Sequence, residues 1–240
     1  KAAKKQTRIA AEGLVNILIE GNKAVIIEVN SETDFVAKND EFKDLINTIS
    51  NLLVKNNVNT VEEALQLSTE DGTLESTITN KIAKIGEKLS FRRFALVNKT
   101  DSETFGAYTH MNGKIAVLVV LEGANNEVAK DVAMHAAAMK PAYVKSTDVP
   151  TQVLEKEKDI MREQLLNEGK PADRIDNILV GKVRKYYEEV CLENQVFIKA
   201  ENNNNEKNSD FFTTGCLTNF SYLMIAIMPM AKTYLNNYHI

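Results

Sequence analysis

Two runs rich in β-branched and aliphatic residues, Leu14-Val15-Asn16-Ile17-Leu18-Ile19 and Ala24 to Val29, stand either side of Gly21-Asn22. That pair suits the positive backbone angles of a tight turn, so the pattern predicts an antiparallel hairpin. From Asn39 the period changes. Phe42, Leu45, Ile46, Ile49, Leu52 and Leu53 fall at helical spacing, with Asp40, Glu41, Lys43, Asp44 and Asn47 on the opposite side, so an amphipathic helix is expected to lie on the hairpin. Its start offers several caps: Ser31 three positions before Asp34, Thr33, and Asn39. The pattern leaves that choice open. Further helices are predicted from about residue 61 to 67 and 77 to 88, followed by a strand over 91–97 and a boundary near Lys99-Thr100-Asp101. This is a first α+β unit.

The succession then recurs. Residues 105–111 and 115–121 read as strands flanking the turn pair Asn112-Gly113, and an Ala-rich helix follows from about Glu127 to Met139. From Thr151 to about Leu192 two helices are separated at Gly169-Lys170-Pro171, where Gly ends one helix and Pro opens the next. The expected product is an antiparallel helical hairpin. Val153, Ile160, Met161 and Leu165 on one arm, with Ile175, Ile178, Leu179, Val183 and Tyr186 on the other, pair with each other or with another chain. Residues 201–209 are Asn-rich and polar and read as a flexible linker.

Composition narrows the function. A chain of 240 residues with 44% hydrophobic content buries a substantial core. A net charge of -4 argues against a protein that tracks phosphates, which needs concentrated Lys and Arg. Cys191 and Cys216 lack the spacing of a disulfide framework or zinc motif, and a reducing compartment is the simpler inference. The apolar run from Tyr222 to Met230 is too short to span a bilayer and contains Pro229, so no membrane role is expected. His110, His135 and His239 are scattered, no glycine-rich phosphate loop is present, and no nucleophile, acid and base converge. No cofactor or metal is expected. What remains is a protein that works by binding.

Phe35 is the residue that fits such work, since it stands where a strand hands over to a helix and can either pack there or be presented to a partner. The surrounding phrase Glu28-Val29-Asn30-Ser31-Glu32-Thr33-Asp34-Phe35-Val36-Ala37-Lys38-Asn39 closely resembles the signature of the elongation factor Ts family. Further family-like phrases follow in order: Lys84-Ile85-Gly86-Glu87 with Arg92-Arg93-Phe94, then Asp131-Val132-Ala133-Met134-His135 with Lys140-Pro141, then Glu188-Glu189-Val190-Cys191-Leu192.

The resemblance implies a guanine-nucleotide exchange factor of translation, not an enzyme, whose partner is the GTPase elongation factor Tu. It implies that Thr33, Asp34, Phe35, Val36 and Asn39 engage the partner's nucleotide-binding domain, where the ring wedges in near the bound magnesium. It also implies that Ile115, Ala116 and His135 meet the partner's last β-barrel domain; Ala116 stands where the family commonly has Gly. The expected organisation is a linker helix over 1–13, an N-terminal core subdomain over 14–100, a second subdomain beginning at 101–150, the hairpin over 151–192, a return to the second subdomain over 193–200, and a linker with an atypical tail over 201–240. The family's small N-terminal three-helix domain, further sheet strand and C-terminal helical module have no match, so a fragment or reduced form is expected. A bacterial cytoplasm is the expected setting, with an organelle matrix as the alternative, and no direct nucleic-acid or membrane contact. Two rival readings remain: a coiled-coil adaptor or homodimerisation module acting through residues 151–192, and a small enzyme with an acidic site.

Overall fold

The computed structural model describes residues 8–198 and the backbone of 219–227. The fold is α+β, with small antiparallel sheets packed on helices. Strands β1 (Glu12–Glu20) and β2 (Lys23–Ser31) pair from Glu20 opposite Lys23 outward, so Gly21 and Asn22 alone turn the chain. Gly21 supplies the required positive φ, 59°. Strand β5 (Leu89–Asn98) pairs with the other edge of β2, which makes β2 the centre of a three-stranded sheet. A central strand buried on both faces reads as an unbroken apolar run. Val25, Ile27 and Val29 face one core, and Ala24 and Ile26 face another.

The first core lies under helices α1 (Asp34–Lys38), α2 (Asp40–Lys55), α3 (Val61–Leu65) and α4 (Leu74–Ile85). Phe42, Leu45, Ile46, Ile49 and Leu53 of α2 are all buried there, as the helical spacing predicts. Helix α4 begins three residues earlier than its apolar pattern suggests. A small hairpin, β3 (Ser68–Thr69) and β4 (Gly72–Thr73), delivers Thr73, whose Oγ1 accepts from the Ser76 N–H at 3.2 Å while Ser76 Oγ accepts from the Thr73 N–H at 2.9 Å. A reciprocal box closed by Ser instead of Glu or Gln leaves little trace in the sequence. Gly86, at φ 91°, ends α4. Glu41 of α2 bonds both Lys81 and Lys84 of α4, and those two ammonium groups hold its carboxyl down at about 2.

The N-terminal segment differs from the expected linker helix over 1–13. Arg8 to Ala11 are not helical, and Glu12 and Gly13 already belong to β1, opposite Ser31 and Asn30. The Asn30 side chain fixes this end of the strand by donating to the Glu12 carbonyl at 3.2 Å. Residues 1–7 of that expectation lie outside the described residues.

A second sheet has the order β6 (Glu103–His110), β7 (Ile115–Glu122), β8 (Asn219–Ile227). Strand β8 corrects the reading of 201–240 as a linker with an atypical tail. The run from Phe220 to Ile227 is aromatic and aliphatic, which suits a strand, and it occupies an edge of β7 whose N–H and C=O groups would otherwise lack ladder partners. The linker expected over 201–209 lies outside the described residues. The turn between β6 and β7 is also longer than Asn112-Gly113, because His110 is the last residue paired with Ile115. Met111, assigned to the strand by its hydrophobicity, has φ 51°, and Asn112 and Gly113 follow at 53° and 87°.

The two three-stranded sheets share an apolar layer of Val15, Ala24, Ile26, Val97, Phe105, Ala116, Leu118 and Val120. Helix α5 (Asn126–Met139) approaches β6 so closely that a Cβ on Gly106 would stand 2.0 Å from the Ala129 carbonyl oxygen.

The chain divides into two compact units, one of the described residues up to Ala137 together with those from Ser221, the other from Ala138 to Phe220. Within the second unit, α6 (Thr151–Asn167) and α7 (Ala172–Val190) form the antiparallel hairpin, and Leu165, Ile175 and Leu179 are buried. Gly169 takes the left-handed conformation at φ 73°, and Pro171 stands at the N-cap position of α7 without a side-chain cap bond. The base of the hairpin is tied by backbone bonds: the Tyr143 N–H donates to the Val190 carbonyl and the Leu192 N–H to the Tyr143 carbonyl. Cys191 is buried there, and burial pushes its thiol up to about 11.

Candidate functional site

The site begins where β2 ends. Ser31, one of the candidate caps, is the last strand residue, and its hydroxyl donates to the Thr33 carbonyl at 3.0 Å instead of capping a helix. Thr33 is the cap of α1, its Oγ1 accepting from the Val36 N–H at 3.4 Å. Asn39 closes α1 through its N–H to the Val36 carbonyl and caps α2 by accepting from the Glu41 N–H at 2.8 Å. Two caps six positions apart, Thr33 and Asn39, are not redundant. They serve two helices, and a single turn is fixed between them.

That turn has two faces. Val36 and Ala37 point into the first core and are buried, while Phe35 is 79% exposed. A five-residue helix is marginal alone, so its geometry depends on tertiary anchors. Glu87 provides one: its carboxylate accepts from the Thr33 N–H at 3.0 Å and from the Thr33 hydroxyl at 2.8 Å. Sequence reading passed over Glu87 as a site residue. It sits just beyond α4, and nothing in local spacing links it to Thr33; its place in the family-like Lys84-Ile85-Gly86-Glu87 phrase was the available signal.

Asp34 and Lys38 pair across one helical turn at 2.9 Å, and the Lys38 ammonium lies 5.9 Å from the Phe35 ring centroid. The hydrogen bond from Lys38, with its charge and that of Lys114 adding, lowers the Asp34 carboxyl from its ordinary range. Asp34 is therefore an ionised acceptor at neutral pH, beside an apolar ring held away from the chain's own interior. An open groove lined by Asp44, Asn47, Lys55, Glu70, Asp71 and Lys81 includes none of residues 33–39. Among the described residues no three His, Cys, Asp or Glu side chains stand together to hold a metal ion, and no helix is long and apolar enough to cross a membrane.

Ile115, Ala116 and His135 lie elsewhere, and inside. Ala116 belongs to the layer between the sheets with 0% exposure, His135 on α5 is also 0% exposed, and Ile115 is buried. In this arrangement Ala116 and His135 are fully covered and Ile115 is nearly so. His135→Ala is expected to lower the unfolding free energy by ~2–3 kcal/mol, because a filled interior position is emptied and a polar group lost. Urea denaturation of the purified variant reads this, and a midpoint unchanged from wild type would show that the ring contributes nothing to packing.

The chain as a whole is similar to known proteins. The family described as "Elongation factor TS" matches residues 32–210. Relatives named "Elongation factor Ts" from Limosilactobacillus reuteri (strain DSM 20016) and Limosilactobacillus fermentum (strain NBRC 3956 / LMG 18251) are each 50% identical over 199 residues, covering 83% of this chain and 68% of their own length.

Proposed function

This chain belongs to the elongation factor Ts family of translation elongation factors, and on that premise we propose that it is a guanine-nucleotide exchange factor for elongation factor Tu. The observation that carries the reading is the 79% exposure of Phe35 on a turn whose opposite face is buried. A side chain in that position is free to enter a pocket on another protein, and the Thr33–Glu87 bonds keep it aimed.

The mechanism is a coupling of two binding equilibria. Phe35 enters the partner's nucleotide-binding domain beside its magnesium, with Asp34 accepting hydrogen bonds at the edge of the contact. Displacing partner groups there removes the cation's compensation of the GDP phosphates, and GDP leaves. The aromatic ring suits this because it buries a large apolar area and demands no polar partner in the pocket. Val36 and Asn39 act from behind, one anchoring the turn in the core and the other ending it. No bond is made or broken, so the chain is not an enzyme in this reading. For the partner's last β-barrel domain we infer a second contact in which Ile115, Ala116 and His135 hold β7 and α5 in position from within. The setting that fits such a partner is the bacterial cytoplasm.

Linkage fixes the test. A protein that loosens GDP must itself bind nucleotide-free elongation factor Tu more tightly than the GDP-bound form, by the same factor. Calorimetric titration of both forms is expected to show a preference of at least about tenfold for the nucleotide-free GTPase. Equal affinities would reduce the chain to a passive binder and remove exchange from the account.

A further inference from the structure

Phe35 does not stand alone. Ile9 is 85% exposed and Met111 is 65% exposed, and both are tethered to the segment that carries Phe35. Beside Ile9, Arg8 pairs with Glu32 at 3.2 Å. Lys88 reinforces that corner, its ammonium donating to the Arg8 carbonyl at 2.9 Å and its backbone N–H to Glu32 Oε1 at 2.6 Å. The Met111–Lys114 loop is held to the same end of β1. The Val15 N–H donates to the Gly113 carbonyl at 2.8 Å, and Lys114 pairs with Glu12, which stands opposite Ser31. Lys114 is also near enough to Asp34 to help keep it ionised.

The charges around these three side chains are paired with one another: Arg8 with Glu32, Asp34 with Lys38, Glu12 with Lys114. Exposed apolar side chains beside charges that neutralise one another match the make-up of a protein contact, whereas a phosphate site would leave cations open. Met111 adds a backbone argument. Its left-handed φ of 51° costs ~1 kcal/mol for a residue with a Cβ, and the loop bears that cost for a side chain left mostly in solvent.

We propose that Ile9, Phe35 and Met111 form one three-pronged apolar docking surface for a single protein, the GTPase whose nucleotide-binding domain receives Phe35. This deepens the exchange-factor reading and rests on it. The contact is continuous with the Phe35 site, so the same partner meets all three prongs. Phe35 enters the pocket, and Ile9 and Met111 close over its margins and exclude water.

The test uses the full chain and nucleotide-free elongation factor Tu, with Ile9→Ala, Met111→Gly and the double variant beside wild type and Phe35→Ala. Glycine accepts the left-handed φ at 111, so that variant removes the side chain without straining the loop. Thermal melts are expected to stay close to wild type. Each single change is expected to weaken binding about fivefold and the double about twenty-fivefold, as for flanking contacts that add independently. A double variant binding within about twofold of wild type, while Phe35→Ala loses affinity, would overturn the three-pronged surface and leave the exchange reading intact. Loss of self-association with unchanged GTPase affinity would overturn it too, by assigning the prongs to a second copy of the chain. A wild-type chain that fails to bind the GTPase at all would overturn the underlying reading and this one with it.

Discussion

Phe35→Ala is expected to leave the stability of the chain within ~1 kcal/mol of wild type while slowing stimulated GDP release from elongation factor Tu by about thirtyfold or more at limiting concentration. The first half follows from exposure. A ring already 79% in solvent gives up little native burial when truncated, and the neighbouring Lys38 ammonium, 5.9 Å from its centroid, contributes at most ~1 kcal/mol at such a site. The second half follows from what the ring buries on docking. Aromatic anchors that fill a partner pocket commonly account for ~2 kcal/mol or more of binding, which converts to the thirtyfold figure. Parallel melting and release measurements separate the two roles. A variant that melts far below wild type would show Phe35 to be a packing residue, and one that is stable with full activity would show that the wedge is another group.

Gly106→Ala is expected to be severely damaging, costing ~3 kcal/mol or more. Its Cβ would lie 2.0 Å from the Ala129 carbonyl oxygen, 2.4 Å from the carbonyl carbon and 2.6 Å from Val119 Cγ2. Two of those three atoms are helix backbone, so no rotamer change relieves the clash and α5 must shift away from β6. The same helix carries His135 and buries Ala129, Val132, Ala133 and Ala136. Chemical denaturation is expected to show a much lower midpoint, and exchange of α5 amides a loss of protection. Phe35 sits at the end of the first sheet, so a folded fraction of the variant should keep its wedge. Stability within ~0.5 kcal/mol of wild type would contradict the close approach of strand and helix.

Much of this was legible in the order of residues, for identifiable reasons. The β1–β2 hairpin and α2 emerge because one face of each is apolar at a distinct period and Gly21-Asn22 closes the turn with no extra residues. Phe35 could be singled out because it stands where a strand hands over to a helix within a family-like phrase, but whether the ring packs or projects is decided only by the burial of Val36 and Ala37 beside it. Other features depend on contacts between residues distant in sequence. Glu87 reaches Thr33 from the far end of α4, and β8 arrives at β7 from the other end of the chain. Alternation also fails where both faces are covered: β7 is apolar from Ile115 to Leu121, so nothing in its pattern says whether Ala116 faces a neighbour sheet or the outside. His135 lies in an Ala-rich helix with small residues on most sides, which weakens the contrast that would mark its inward face. Met111 looked like a strand residue by hydrophobicity, and its left-handed backbone is set by the four-residue loop that carries it.

The claim on which the rest depends is that this chain opens another protein's nucleotide site by binding. Stopped-flow release of fluorescent GDP from elongation factor Tu, with the chain added well below the GTPase concentration, tests it most directly. The account predicts a release rate that climbs with chain concentration, each molecule discharging many GTPases in turn. A folded chain that leaves release at its intrinsic rate throughout the titration would contradict it.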